Sequence, residues 1–497
     1  MHRLLCSTTL PLMLCSALVG CMSDDTMPET GAVNSALAAQ PAPTQLRVVH
    51  ASATSTAFDI YLGSAAMPAF TNVAFGGATA YVALPAGATQ LVLRAAGAAS
   101  TVAPLATADL TVNEGETVTA VAAGLLGSTL ETTRFRVQGF VEQFGAARPR
   151  EARLRFVEAS HGFATAGFNL HDDAAVEVPD LAAFAASSPA GVLVQRAGAG
   201  LQLAISSGTP ATRRTAFTLP TAFTRGGDGA FVVLAGLPTF KPRECRGLAL
   251  IVVGHDETVV VKQNPTVFVM PVIPDQANVD IAAGRNRDAA APIATAAAFA
   301  SLSSIQVPPS ERGLAIVVST PGDCGDPIAV ARTGELVAGE RYLAVASGFA
   351  SGQRTSTTHP AVTVQVLAEA FTAPQSGPGY LRAIAASPGA PLLDIGTFAA
   401  GAGTAFTQLG DLTGLAYGTA SAPVGAQAPA APLNPGLRPT GTADALRFAF
   451  SALAATDRAF GVIAGAWTPA AGEPGPTLIV VKTPASGAWT AQSLSPL

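Results

Sequence analysis

LRVVHAS (residues 46–52), LRFVEAS (154–160) and LRAIAAS (381–387) are one seven-residue phrase written three times. Each is followed by a strand-like tetrapeptide, FDIY (58–61), FNLH (168–171) and LDIG (393–396). A weaker copy, VFVMPVI (267–273) with VDIA (279–282), falls between the second and the third. From the first residue of the phrase to the Asp or Asn of the tetrapeptide the distance is 13 in three copies (46 to 59, 267 to 280, 381 to 394) and 15 in the second (154 to 169). A closing phrase repeats in the same register: GETVTAVAAG (115–124), GDGAFVVLAG (227–236), GERYLAVASG (339–348) and TDRAFGVIAG (456–465), each with an acidic residue eight positions before its last Gly. Self-similarity at roughly 110-residue intervals is the mark of a tandem array.

Working outward, the text of each copy reads as strand. Val, Ile, Leu and Phe alternate with small or polar residues over five to seven positions, and Gly, Pro, Asn and Asp punctuate them, as in ALPAGAT (83–89) and VNEGE (112–116). Each close is followed by one more β-rich run: RFRVQGF (134–140), LALIVV (248–253), AVTVQVL (361–367) and TLIVV (477–481). About seven half-buried antiparallel strands in ~100 to 115 residues is the size of an immunoglobulin-like sandwich. The expected fold is therefore all-β: about four immunoglobulin-like antiparallel β-sandwich repeats, at 46–147, 150–264, 265–371 (the divergent copy) and 379–497. Short helices are expected only in Ala289–Ala300 and Pro179–Ala186. Copies one and four also share FTNVAFGGATAY (70–81) and FTQLGDLTGLAY (406–417).

Composition agrees. The 497 residues are 49% hydrophobic and 12% charged with 49 Gly and 37 Pro, too apolar for disorder and too rich in turn residues for a helical bundle. A net charge of −5 without a basic run excludes a nucleic-acid footprint.

The N-terminus carries an address. His2 and Arg3 precede the apolar stretch Leu4 to Val19, the layout of a secretory signal over residues 1–20. Leu18-Val19-Gly20-Cys21 resembles the bacterial lipobox, which implies cleavage between Gly20 and Cys21 and lipidation of Cys21. An ordinary secretory signal with a chance cysteine is the alternative. Acyl chains contribute about 0.8 kcal/mol per buried methylene, so such a cysteine anchors the chain to a membrane without a spanning helix. Met22 follows where an Asp favours inner-membrane retention, so the outer membrane is expected, with possible surface exposure. Residues 21–45 read as a lipidated cysteine and flexible stalk. Cys6 and Cys15 leave with the signal, and Cys245 and Cys324 remain as either a disulfide between neighbouring repeats or two independent small residues.

The opening phrase, the D-I-Y strand, the F-x-x-V/L-x-F-G-x-x-x-x-Y middle and the GETYTVVAAG-like close make repeat one resemble the bacterial "domain of unknown function 4397" family over residues 46–124. Copies two and four match in part and copy three least. The resemblance implies a secreted or surface-displayed β-sandwich, often in tandem, and supplies no catalytic residue.

Candidate chemistry is sparse. The recurring polar positions, Asp59, Asn169, Asp280 and Asp394 on strands and Glu116, Asp228, Glu340 and Asp457 at turns, read as structural, with a ligand-contacting row as the alternative for the first set. The histidines do not recur, His50 corresponding to Glu158, Pro271 and Ala385. His161 and His171-Asp172-Asp173 come nearest to a metal-ligand cluster, with exposed loop residues as the simpler reading. HExxH, GxSxG, Walker and DxDxDG motifs are absent from the sequence. The expectation is a lipid-anchored envelope protein serving structure, adhesion or protein interaction, with no catalysis and no cofactor. A binder of envelope polysaccharide or a small ligand is the alternative, and an enzyme the third reading.

Overall fold

The two repeated phrases turn out to be hydrogen-bonded to each other. In the computed structural model, the opening strand Gln45–His50 runs parallel to the closing strand Thr117–Ala123, with Leu46 opposite Val118 and His50 opposite Ala122. The same parallel pair forms between Glu151–Glu158 and Gly229–Ala235, Thr266–Val272 and Arg341–Ser347, and Tyr380–Ala385 and Arg458–Ala464. The structure describes residues 43–497 apart from 174, 196–197, 199, 225–228, 324–325, 352–358, 372–378, 399–404, 429–433 and 450–456.

Around each parallel pair the remaining ladders are antiparallel. In every repeat one sheet of four or five strands holds the opening and closing strands at its centre, and a second sheet of four strands is built on the tetrapeptide strand. Eight sheets thus form four two-layer sandwiches with one connectivity. Each repeat supplies eight or nine described strands, rather than about seven, because short edge strands such as Val82–Ala83 and Ala426–Gln427 carry little apolar text. Ala42–Leu497 constitutes one compact unit.

The expected helices do not form. Ala291–Ala298 is a strand paired with Asn278–Gly284, and Val178–Ala182 is a strand paired with Thr165–Leu170. Ladder bonds and a packed face override alanine's helix propensity there, Ala297 being buried in the third core. The described helical content is one 3-10 turn, Thr221–Thr224. No described helix is long and apolar enough to cross a membrane.

The half-buried reading holds for outer strands and fails for central ones. Ala106–Val112 alternates between half-buried and exposed residues up to the buried Val112, whereas Arg341–Ser347 and Arg458–Ala464 are buried at every position. Their second face meets a neighbour. Leu46, Val48, Val118 and Ala120 fill the core of repeat 1, while Val49, Ala51, Val121 and Phe140 form a separate cluster with Val157, Phe231, Val233 and Ile251 of repeat 2. In the same way Met270, Val272, Leu343 and Val345 of repeat 3 pack on Ile384, Phe460, Val462 and Ile479 of repeat 4. At about 1.5–3 kcal/mol per large apolar side chain removed from water, each of these two interfaces is a core in its own right. The repeats are paired back to back, 1 with 2 and 3 with 4.

Contacts between the pairs are polar. Gln306 of repeat 3 accepts from the backbone N–H of Ala216 at 2.8 Å and donates to Thr215 Oγ1 at 3.1 Å and to the Asn264 carbonyl at 3.0 Å. Lys241 of repeat 2 makes a buried ion pair with Glu369 at the end of repeat 3, and Arg341 holds the second carboxylate oxygen.

Candidate functional site

The recurring polar residues are absorbed by the fold. Asp59 accepts from the backbone N–H groups of Asn72 (2.7 Å) and Gly97 (2.8 Å), and Asp280 from those of Ala296 (2.7 Å) and Gly322 (2.9 Å). Asn72 and Ala296 have φ of 53° and 48° and sit in the bulge of the adjoining edge strand, so the carboxylate clasps a bulge that no ladder bond satisfies. Asp394 accepts from the hydroxyls of Thr413 and Thr440, the N–H of Gly414 and the guanidinium of Arg438. Burial pushes its carboxyl upward, but these donors together bring it down to about 2.

Asn169 is not the fourth member of this set. The strand pairings put Gly167 opposite Ser206 and Phe168 opposite Ile205, as Asp59 lies opposite Arg94 and Ile60 opposite Leu93. The position equivalent to Asp59 is therefore Gly167, and the spacing of 13 recurs in all four copies (154 to 167). Asn169 instead exchanges two hydrogen bonds with the backbone of Asp173. The shared middle phrase is also out of register: Ala78 bridges Val49 and Ala420 bridges Ile384, which puts Tyr81 three residues after its bridge and Tyr417 three before.

Of the acidic residues at the closing turns, Glu116 accepts from Asn113 N–H, Asp457 pairs with Lys482 at 3.3 Å, and Glu340 is half-buried, its carboxyl raised by burial. Asp228 lies outside the described residues. The closing glycines have a plain cause: Gly124, Gly236, Gly348 and Gly465 take φ of 108°, 91°, 122° and 78°, and a Cβ at any of them would fall on a neighbouring carbonyl oxygen. The serine that ends the opening phrase binds this turn, Ser52 to the Gly124 carbonyl and Ser387 to that of Gly465, each at 2.6 Å.

Residues 44–165 match the family described as domain of unknown function (DUF4397). The DUF4397 match begins at the opening strand of repeat 1 and ends beyond the opening strand of repeat 2, so it takes in the first complete sandwich and one of the strands that cover its outer face. No curated protein matches the chain.

A second set of polar residues lies between the repeats. Arg47, Arg155 and Arg382 occupy the second position of three opening phrases and are buried in the paired faces. Arg47 donates to Thr119 Oγ1 and the Gly254 carbonyl, pairs with Glu142 at 3.1 Å and lies over the Tyr81 ring at 4.6 Å. Arg155 donates to the carbonyl of Val141, and Arg382 to that of Ala368, at the same place in the preceding repeat. Phe268 takes this position in repeat 3 and stacks on Trp489 at 4.0 Å. Glu142 and Glu369 are equivalent, each following the last strand of its repeat, and an arginine from a different strand serves each.

His50 and Glu158 occupy one position in repeats 1 and 2. Both are fully buried; burial lowers the His50 imidazole to about 4 and raises the Glu158 carboxyl to about 8. Both side chains are therefore neutral at pH 7, where repeats 3 and 4 place Pro271 and Ala385.

His161 lines a pocket of about 620 Å³ between a loop of repeat 1 and repeat 2, near Phe184 (5.5 Å between rings), over which Arg136 also lies. Burial, then Arg136, lowers the His161 imidazole. The Asp172 carboxylate is taken by Arg213 at 2.8 Å and that of Asp173 accepts from the Ala175 N–H, so the His161 and His171–Asp173 groups have different partners. Among the described residues no group of three or more His, Cys, Asp and Glu is placed to hold a metal ion.

A cleft of about 680 Å³ opens where repeats 2, 3 and 4 meet. Arg213, Arg214, Arg341, Phe163 and Phe240 line it beside a loop of repeat 4, Ala485–Ala488. It had no signal in the sequence, because its walls come from three repeats. Cys245 is exposed and forms no disulfide among the described residues. Gly20, Cys21 and Cys324 lie outside the described residues, and with them the expected lipidation site and the candidate disulfide with Cys245.

Proposed function

We propose that this chain is an outer-membrane lipoprotein anchored through Cys21, whose tandem sandwiches present surfaces for adhesion or protein interaction and perform no catalysis. The observation that carries this reading is the fate of the recurring polar residues. Asp59, Asp280 and Asp394 bind backbone and side-chain groups of their own sheets, and the closing glycines and serines form turns. What the repeats share is thus spent on building sandwiches, and variation is left to the surfaces and junctions. LVGC at 18–21 and the stalk behind it support tethering.

Membrane fractionation and trypsin or biotin accessibility on intact cells test this, comparing the native chain with Cys21→Ala. The native chain is expected in the membrane fraction and cleaved on whole cells, with the variant released in soluble form. Equal solubility of both removes the anchor, and protection of the native chain until the outer membrane is opened removes surface display. The second reading, a binder of envelope polysaccharide, is favoured by the arginine-lined cleft between repeats 2, 3 and 4.

A further inference from the structure

Strand residues normally alternate between faces, so two consecutive arginines cannot point the same way. Arg213 and Arg214 do line one cleft, and the pairing of their strand explains it. Thr215 lies opposite Ile205 and Arg213 opposite Ser206, leaving Arg214 as the extra residue of a β-bulge. The equivalent ladders of repeats 1 and 3 run without a shift. A bulge re-aims side chains, and here it turns two guanidinium groups into the space enclosed by repeats 2, 3 and 4.

The charges around that space are unbalanced. None of the described lining residues is acidic, in a chain with 33 Asp and Glu against 28 Lys and Arg. Arg213 is matched by Asp172 and Arg341 by Glu369, but Arg214 is exposed and has no ion-pair partner among the described residues. Arg341, its side chain only 8% exposed, has Nη2 without a hydrogen-bond partner. Phe163, Phe240 and Pro238 offer half-buried apolar faces beside the hydroxyls of Thr266, Ser304 and Ser486. A volume of about 680 Å³ suits a ligand of a few rings. A peptide adding as a strand finds no edge here, because Gln306 and the Phe217–Gln263 bridge already cover the bordering strand Thr212–Leu219.

We infer that this cleft binds an anionic oligosaccharide, with Arg214 as the main carboxylate contact, Arg213 and Arg341 as supporting charge and Phe163 and Phe240 against the sugar rings. Guanidinium groups match carboxylates in bidentate geometry, and aromatic faces accept the apolar side of a pyranose. The inference rests on the polysaccharide-binding reading and names its ligand class.

Calorimetric titration of the purified full chain tests it with trigalacturonate, its neutral counterpart galactotriose, hexaglutamate and inorganic phosphate. Trigalacturonate is expected to bind at least tenfold tighter than the other three and to weaken with salt. Arg214→Gln is expected to weaken it about tenfold or more, and Ser486→Trp, which fills the cleft from the repeat 4 loop, to abolish it. Both positions are exposed, so both variants are expected to keep the native fold, which circular dichroism checks. Unchanged affinity in Arg214→Gln and Ser486→Trp, or no binding of trigalacturonate, overturns the inference. So does equal or tighter binding of hexaglutamate or phosphate, which reassigns the cleft to acidic protein or to small anions. These outcomes are independent of the Cys21→Ala fractionation, which tests anchoring alone.

Discussion

At position 50 of repeat 1 and position 158 of repeat 2 one site is filled by a base and by an acid, and neither is charged at neutral pH. The common cause is burial. Low-dielectric surroundings penalise whichever form is ionised, so the imidazole is held down to about 4 and the carboxyl up to about 8. Their consequences for stability are opposite in sign. The Glu158 carboxyl stays protonated in the folded chain up to about pH 8 but ionises above its ordinary 4.5 when unfolded, so folding takes up a proton in that window. Its contribution is complete below pH 4.5 and declines as pH climbs to 8. His50 releases a proton on folding between pH 4 and 6.5, and its contribution is intact above 6.5 and lost as pH falls through 4. Glu158→Gln should flatten the alkaline decline, making the variant more stable than the native chain at pH 9 by on the order of a few kcal/mol. Denaturant unfolding at pH 5 and pH 9 measures it, and an identical decline in both proteins would reject the assignment.

At the scale of elements, the opening and closing strands carry two faces of burial, and two of their arginines, Arg47 and Arg341, enter buried ion pairs. Arg47 keeps its Thr119 and Gly254 acceptors if Glu142 is lost, but the guanidinium, 3% exposed, is then without a counter-charge. Glu142→Ala is expected to cost about 3 kcal/mol, and Arg47→Met with Glu142→Leu to recover most of it, because two buried charges and their desolvation vanish together. Thermal unfolding of the three proteins checks this, and a double variant as unstable as Glu142→Ala refutes it. Much of this layer was legible beforehand. The recurrence of LRVVHAS and GETVTAVAAG located both central strands, since every copy needs them for the same ladder. Their parallel pairing was not legible, because alternation of apolar residues fixes a face and not a neighbour. The interval of 15 in repeat 2 misled by matching FNLH to FDIY, when the ladder places Gly167 at the clasp position. A bulge such as that at Arg214 adds one residue and leaves no compositional trace, so the cleft it opens was invisible in the chain. Ala291–Ala298 shows the reverse error, a helix-forming composition drawn into a ladder by its neighbours.

For the whole molecule, the unit of stability is larger than the unit of repetition. Residues 43–147 alone would expose Val49, Ala51, Val121, Ala123 and Phe140, a contiguous apolar face that repeat 2 otherwise covers. That fragment is expected to self-associate or bind a hydrophobic dye, whereas residues 43–264 stay monomeric and melt at a clearly higher temperature. Sedimentation velocity with dye fluorescence distinguishes them, and a monomeric, dye-free single repeat would show that the apolar face is dispensable. The contact between pairs is of another kind, with Gln306, Thr215 and the Lys241–Glu369 ion pair. It fixes orientation through hydrogen bonds and frames the cleft.

Covering one outer sheet with the next also sets how a chain of this design can change its length over evolutionary time. Deleting a single repeat strands its neighbour's apolar face and invites aggregation, whereas deleting or duplicating a couple leaves every such face covered. Growth by twos is tolerated and growth by ones is penalised. Parity, as much as number, is thus what selection acts upon in this array.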